Sequence, residues 1–67
     1  MRPTTALERR VFMFLNKLRL SGKTNMFGAS VDIVVKFNLS PTDARKMLSL
    51  WMKNFDEKGE YKEINIG

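Results

Sequence analysis

The four residues Asn38-Leu39-Ser40-Pro41 constrain this chain more than any other stretch. Asparagine enters the left-handed backbone region at lower cost than most residues with a side chain, so it can close a helix. Ser40 is suited to cap the next helix, and Pro41 brings a pre-set φ to its first position. Asp43 stands three residues after Ser40, where the acid of a capping box belongs. Leu39 is apolar inside this polar turn and is expected to plug a core. A chain that must end one helix and start another within four residues forms a helical hairpin here.

The flanks fit that hairpin. Upstream, Ala29, Ile33, Val34 and Phe37 recur at helical spacing. Val31, Ile33, Val34 and Val35 are also β-branched and would suit a strand, but the short length and the flanking caps favour a helix at about 28–37. Downstream, Ala44, Met47, Leu48, Trp51 and Phe55 share one face of a helix at about 41–54. Thr5-Ala6-Leu7-Glu8 is a capping box, and Leu7, Val11, Phe14, Leu15 and Leu18 form a stripe behind it. With Gly22 as the stop, the first helix is placed at about 5–20.

Between the first two helices, Asn25 is a candidate cap, or Thr24 to Phe27 form a short extended piece. Residues 55–67 make a tail that opens on the turn Asp56–Gly59. In it, Ile64 and Ile66 alternate as a short strand would. That strand would either pair with Thr24–Phe27 or fray. Mostly α architecture in one three-helix domain over residues 1–67 is the expectation.

Sixty-seven residues leave room for one small core. Cysteine and histidine are both absent. Disulfides and thiolate metal sites are therefore excluded, and carboxylates alone make a poor zinc site. No cofactor is expected. No histidine base and no converging carboxylate pair supports general acid–base chemistry, and the serines have no base beside them. Ser21-Gly22-Lys23-Thr24 resembles the end of a phosphate-binding loop but lacks its upstream glycine and preceding strand. The expectation is a non-enzymatic protein.

Met1-Arg2-Pro3 leads into a polar segment, so no signal peptide is expected. No apolar run approaches the roughly 20 residues of a membrane span, and a cytosolic location follows as the expectation. Net charge is +5. Residues 1–53 carry ten Lys or Arg against Glu8, Asp32 and Asp43, a balance of +7, whereas residues 54–67 balance at −2. A basic body with an acidic tail favours a polyanionic partner.

From Ala29 to Phe55 the chain resembles the helix-turn-helix superfamily. Val34 falls where the first helix packs on the second, Leu39 takes the buried turn position, and Ala44 and Met47 face inward. Asn38 replaces the usual glycine, and Val34 the usual alanine. The resemblance implies a three-helix helix-turn-helix domain, winged-helix-like if the tail adds a strand, whose last helix enters the major groove of double-stranded DNA. The string from Asn25 to Phe55 is also similar to small proteins encoded by tailed bacteriophages. That likeness implies a setting in a bacterial host cytoplasm but no particular activity.

The outward stripe of the last helix is Thr42, Arg45, Lys46, Ser49 and Lys53. Arg45 has the fork for guanine, Thr42 and Ser49 reach bases or phosphates, and Lys46 and Lys53 neutralise phosphates. Asp43 near the tip would repel the backbone. Lys36 is expected to extend the footprint, with Arg2, Arg9, Arg10 and Lys23 as further candidates. The bland alternative is a solvated face, which every soluble amphipathic helix has.

Apolar residues are left over. Phe12, Met13 and Leu20 lie off the first stripe, and Leu50 and Met52 off the last. Exposed apolar surface marks interfaces, so Leu50, Met52 and Met13 are expected at one. Phe12 stands between such an interface and a core closed by Ile64 and Ile66. The partner would be a second copy, matching a palindromic operator, or a bacterial host protein. A structural role in a virion or in packaging is a third option.

Overall fold

The computed structural model describes residues 1–22 and 28–66. A strand β1 (Arg2–Pro3) leads into helix α1 (Ala6–Ser21), followed by α2 (Ala29–Phe37), α3 (Pro41–Lys53) and a strand β2 (Glu63–Ile64). Among the described residues the domain is mostly helical, with three helices and one short antiparallel sheet that pairs the N-terminal arm with the tail.

Each helix begins and ends where local chemistry directs. Thr5 and Glu8 form a complete capping box, with the Glu8 N–H donating to the Thr5 hydroxyl at 3.1 Å and the Thr5 N–H to Glu8 Oε1 at 2.9 Å. Gly22 closes α1 at φ 65°. Asn38 closes α2 at φ 54°, and Ser40 caps α3 by accepting from the Asp43 N–H at 3.1 Å. The Asn25 cap and the extended piece at Thr24–Phe27 fall on residues 23–27, outside those described.

The core is built on α1. Val11, Phe12, Leu15, Ala29, Ile33, Ala44 and Ile64 are fully buried, and Leu48, Trp51 and Tyr61 are nearly so. The buried face of α1 is Glu8, Val11, Phe12 and Leu15. This corrects the expected stripe: Leu7 is exposed, whereas Phe14 and Leu18 are only half-buried. The reason is the tail. Tyr61 lies against Phe12 with ring centroids 5.0 Å apart. Apolar cover therefore reaches α1 from a side that its own sequence does not reveal.

Strand β2 does not fray. It pairs with β1, with Arg2 opposite Ile64 and Pro3 opposite Glu63, and the Thr4 N–H extends the ladder to the Lys62 carbonyl at 2.9 Å. Pro3 lacks an N–H, which a two-stranded edge tolerates. The N-terminal arm is also held by charge. Arg2 Nη1 donates to Glu8 Oε1 at 2.7 Å while Nη2 contacts Oε2, a bidentate pair. The Arg2 guanidinium is the main cause of the Glu8 carboxyl being pulled down to about 2; the Thr5 N–H and hydroxyl add to this, and burial opposes it.

A polar hub ties α1, α3 and the tail. Asn16 Oδ1 accepts from Trp51 Nε1 at 2.7 Å and from the Tyr61 hydroxyl at 2.7 Å. Asn16 Nδ2 donates to the Asp56 carbonyl at 2.9 Å. Asn54 fixes the far end of the tail, accepting from the Asn65 N–H at 2.8 Å and donating to the Asn65 carbonyl at 3.0 Å.

Two stability predictions follow from these bonds. Asn16→Leu leaves the buried indole N–H without its acceptor and the Tyr61 hydroxyl with only the Asp56 backbone, whose N–H and carbonyl both lie 3.2 Å away. It should destabilise the domain by about 2–4 kcal/mol, measured by urea unfolding monitored through the single tryptophan, Trp51. For Glu8, the folded-state pKa lies below the unfolded one. Its contribution is therefore complete above pH of about 4.3 and is lost as pH falls toward about 2. Between pH 7 and pH 3, Glu8→Gln should lose on the order of 2 kcal/mol less stability than the unaltered protein. Parallel losses in the two proteins would show that the ion pair does not set the acid sensitivity.

Candidate nucleic-acid interface

The outward face of α3 is set by the turn before it. Asn38 in the left-handed region reverses the chain, and Leu39 is half-buried against the core. Ala44, Leu48 and Trp51 turn inward along α3. Thr42, Arg45, Lys46, Ser49 and Lys53 are consequently all exposed, as their spacing predicts.

Four of these five converge. Thr42, Arg45, Lys46 and Ser49 line a shallow concavity of about 550 Å³ together with Arg2, Leu50 and Ile66. Among the described residues, three cations border it and no carboxylate side chain does. Lys53 lies one turn beyond Ser49 on the same helix and is not part of that lining. Asp43 borders a neighbouring recess with Leu39, Lys46 and Met47. Its charge stays beside the basic face.

Two members of this concavity were not legible as such. Arg2 was a distant candidate in sequence, and its presence depends on β1 lying across the molecule. Its charge is partly spent on Glu8. Ile66 is 54% exposed and borders the concavity because Asn54 holds Asn65 at the end of α3. Alternation of Ile64 with Ile66 was the available signal, and it pointed to a strand but not to this place.

Lys36 does not join the α3 stripe. Its Nζ lies 5.5 Å from the centroid of the Phe14 ring, and it lines a separate groove with Arg9, Arg10 and Lys17. The expected footprint thus divides into two surfaces, because α2 turns Lys36 toward α1. Of the two places open to Phe12, interface or core, it takes the core, where it is fully buried. Met13 and Met52 are exposed at 46% and 48%. Leu50 is half-buried against the core and borders the α3 concavity. Leu20 is exposed, so the tail does not close over it.

Among the described residues, no three carboxylates gather in a way that would hold a metal ion. Among the same residues, no helix is long and apolar enough to cross a membrane. Set against protein-family models, curated proteins and solved structures, the chain matches none.

The turn yields one prediction. At Asn38, φ is 54°, a region that a β-branched residue enters at a cost of roughly 1–2 kcal/mol. Asn38→Val should lower the unfolding midpoint accordingly and Asn38→Gly should not, as read by thermal melting. Equal melting of both variants would mean that the turn does not need the left-handed residue.

Proposed function

We propose that this protein binds double-stranded DNA through α3, without catalysis, as a phage-encoded regulator acting in the bacterial host cytoplasm. The observation that carries the reading is the α3 concavity. Arg45 and Lys46 stand on one exposed helical face with Thr42 and Ser49, and among the described residues no acidic side chain borders the recess. A helix of 13 residues begun by a tight turn has the length and freedom to lie in a major groove. Arg45 is the base-reading candidate, Thr42 and Ser49 are short donors beside it, and Lys46 and Lys53 meet phosphates. The phage and host setting rests on the likeness of the sequence from Asn25 to Phe55 to small phage proteins.

The rival is docking on a host protein through Leu50 and Met52. Leu50 is already half-covered by its own core, which leaves less apolar surface for such a contact than the sequence promises. Occupancy of an operator as a homodimer would use Met52 and Met13 as the free apolar side chains.

The test is fluorescence anisotropy of the protein with a random-sequence duplex across a salt series. Binding should weaken steeply with salt, because phosphate neutralisation releases counterions. Lys46→Ala should reduce the magnitude of the logarithmic salt slope by about 1. Arg45→Ala should weaken binding to a selected site by roughly 1–3 kcal/mol and relax preference at one base pair. No binding at low salt, or binding unchanged in Arg45→Ala/Lys46→Ala, would overturn the reading.

A further inference from the structure

A second basic surface lies between α1 and α2, and its chemistry differs from that of the α3 face. Phe14, Leu18 and Phe37 form its floor, all half-buried and packed against the core. Phe14 and Phe37 meet edge to face, with centroids 5.6 Å apart and planes at 78°. The groove has a volume of about 700 Å³, larger than the α3 concavity, and the two share no lining residue. Arg9, Arg10, Lys17 and Lys36 stand on its rim, and among the described residues no carboxylate lines it.

We propose that this groove docks an acidic amphipathic helix of another protein. The floor supplies what the apolar stripe of such a helix needs, a trough between two helices into which residues at i, i+4 and i+7 can insert. The rim supplies what its acidic flanks need, four cations at the border of an apolar surface. The charges set approach and register, while burial against the floor supplies the affinity.

Two other occupants fit less well. A nucleic acid would meet phenyl rings that are edge-packed and partly covered, with no side-chain donor on the floor to read a base. Among the described residues, a second copy of this chain has no acidic helix to offer. Its acidic stretch is residues 56–63, whose apolar residue, Tyr61, is already buried in its own core. Each copy also brings a net charge of +5, so pairing groove to body would place like charges together.

The test uses the full chain, labelled with ¹⁵N, and a synthetic helical peptide carrying leucine at i, i+4 and i+7 with glutamate on the flanking positions. Saturable binding is expected, with amide shifts at Phe14, Leu18, Lys36 and Phe37 and none along Thr42–Ser49. A peptide with serine in place of each leucine should bind at least about tenfold more weakly, a loss of roughly 1.4 kcal/mol. Arg10→Glu/Lys17→Glu alters only exposed side chains. It should weaken the leucine peptide at least about tenfold while leaving the helical circular dichroism unchanged.

Several outcomes would overturn the proposal: shifts confined to α3, equal affinity for the leucine and serine peptides, or no saturable binding. Displacement of the peptide by duplex DNA, with DNA shifting the groove amides, would assign the groove to nucleic acid instead. Sedimentation as a dimer that Arg10→Glu/Lys17→Glu dissolves would assign it to a second copy. Because the groove and α3 share no lining residue, loss of DNA binding in α3 variants leaves this measurement intact.

Discussion

The Asn16 side chain uses both ends of its amide. Its oxygen takes the indole N–H of α3 and the phenol of the tail, and its nitrogen donates to the carbonyl that opens the tail turn. A buried polar group is costly unless paired, so the three partners fix one another's positions. Trp51 cannot shift along α3 without abandoning its acceptor, and Tyr61 cannot leave Phe12 without abandoning its own. In a domain of 67 residues with no disulfide, this network replaces a covalent staple. The position of the tail, and with it the burial of Phe12 and Ile64, depends on it.

The tail in turn decides which surfaces remain open. Asp56 accepts from the Lys58 and Glu60 N–H groups, and Gly59 turns the chain at φ 75°. The acidic residues are thereby gathered into a local turn. Among the described residues, none of these acids lines the α3 concavity, which Ile66 and Arg2 border. The N-terminal arm completes the arrangement. Its bidentate bond to Glu8 holds Arg2 near the tip of α1, and the β1–β2 ladder covers Ile64. Two basic surfaces result, one polar and shallow on α3, one with an aromatic floor between α1 and α2. A single basic patch would serve one partner. The two proposals above assign DNA to the first of these surfaces and an acidic helix to the second.

The parts legible in sequence are those set within four or five residues. The Thr5–Glu8 box, Gly22, Asn38, Ser40 and Pro41 act through neighbours in the chain, and each is found in its expected role. The inward stripe of α3 was legible for the same reason, since one period covers Ala44 to Phe55. Misplaced were Leu7, Lys36 and the partner of β2, and Phe12 was left open between core and interface. All four depend on contacts between distant segments. The buried side of α1 could not be read from α1 alone, because Phe12 is covered by Tyr61, some fifty residues on. Lys36 follows Val35 in a helix whose rotation is set by packing of Ile33 and Ala29, which its own spacing leaves loosely defined.

Sequence by itself therefore determined where the helices start and stop, that α3 carries a basic outward stripe, and that thiol and imidazole chemistry are absent. These are matters of local backbone energetics and of residue inventory. Tertiary structure decided which cations share a surface, that the two chain ends pair, and that an aromatic trough lies open between α1 and α2. Those outcomes depend on how three amphipathic helices and a tail divide a limited apolar area among themselves. A residue's spacing states which face it shares, but only packing states what lies opposite that face.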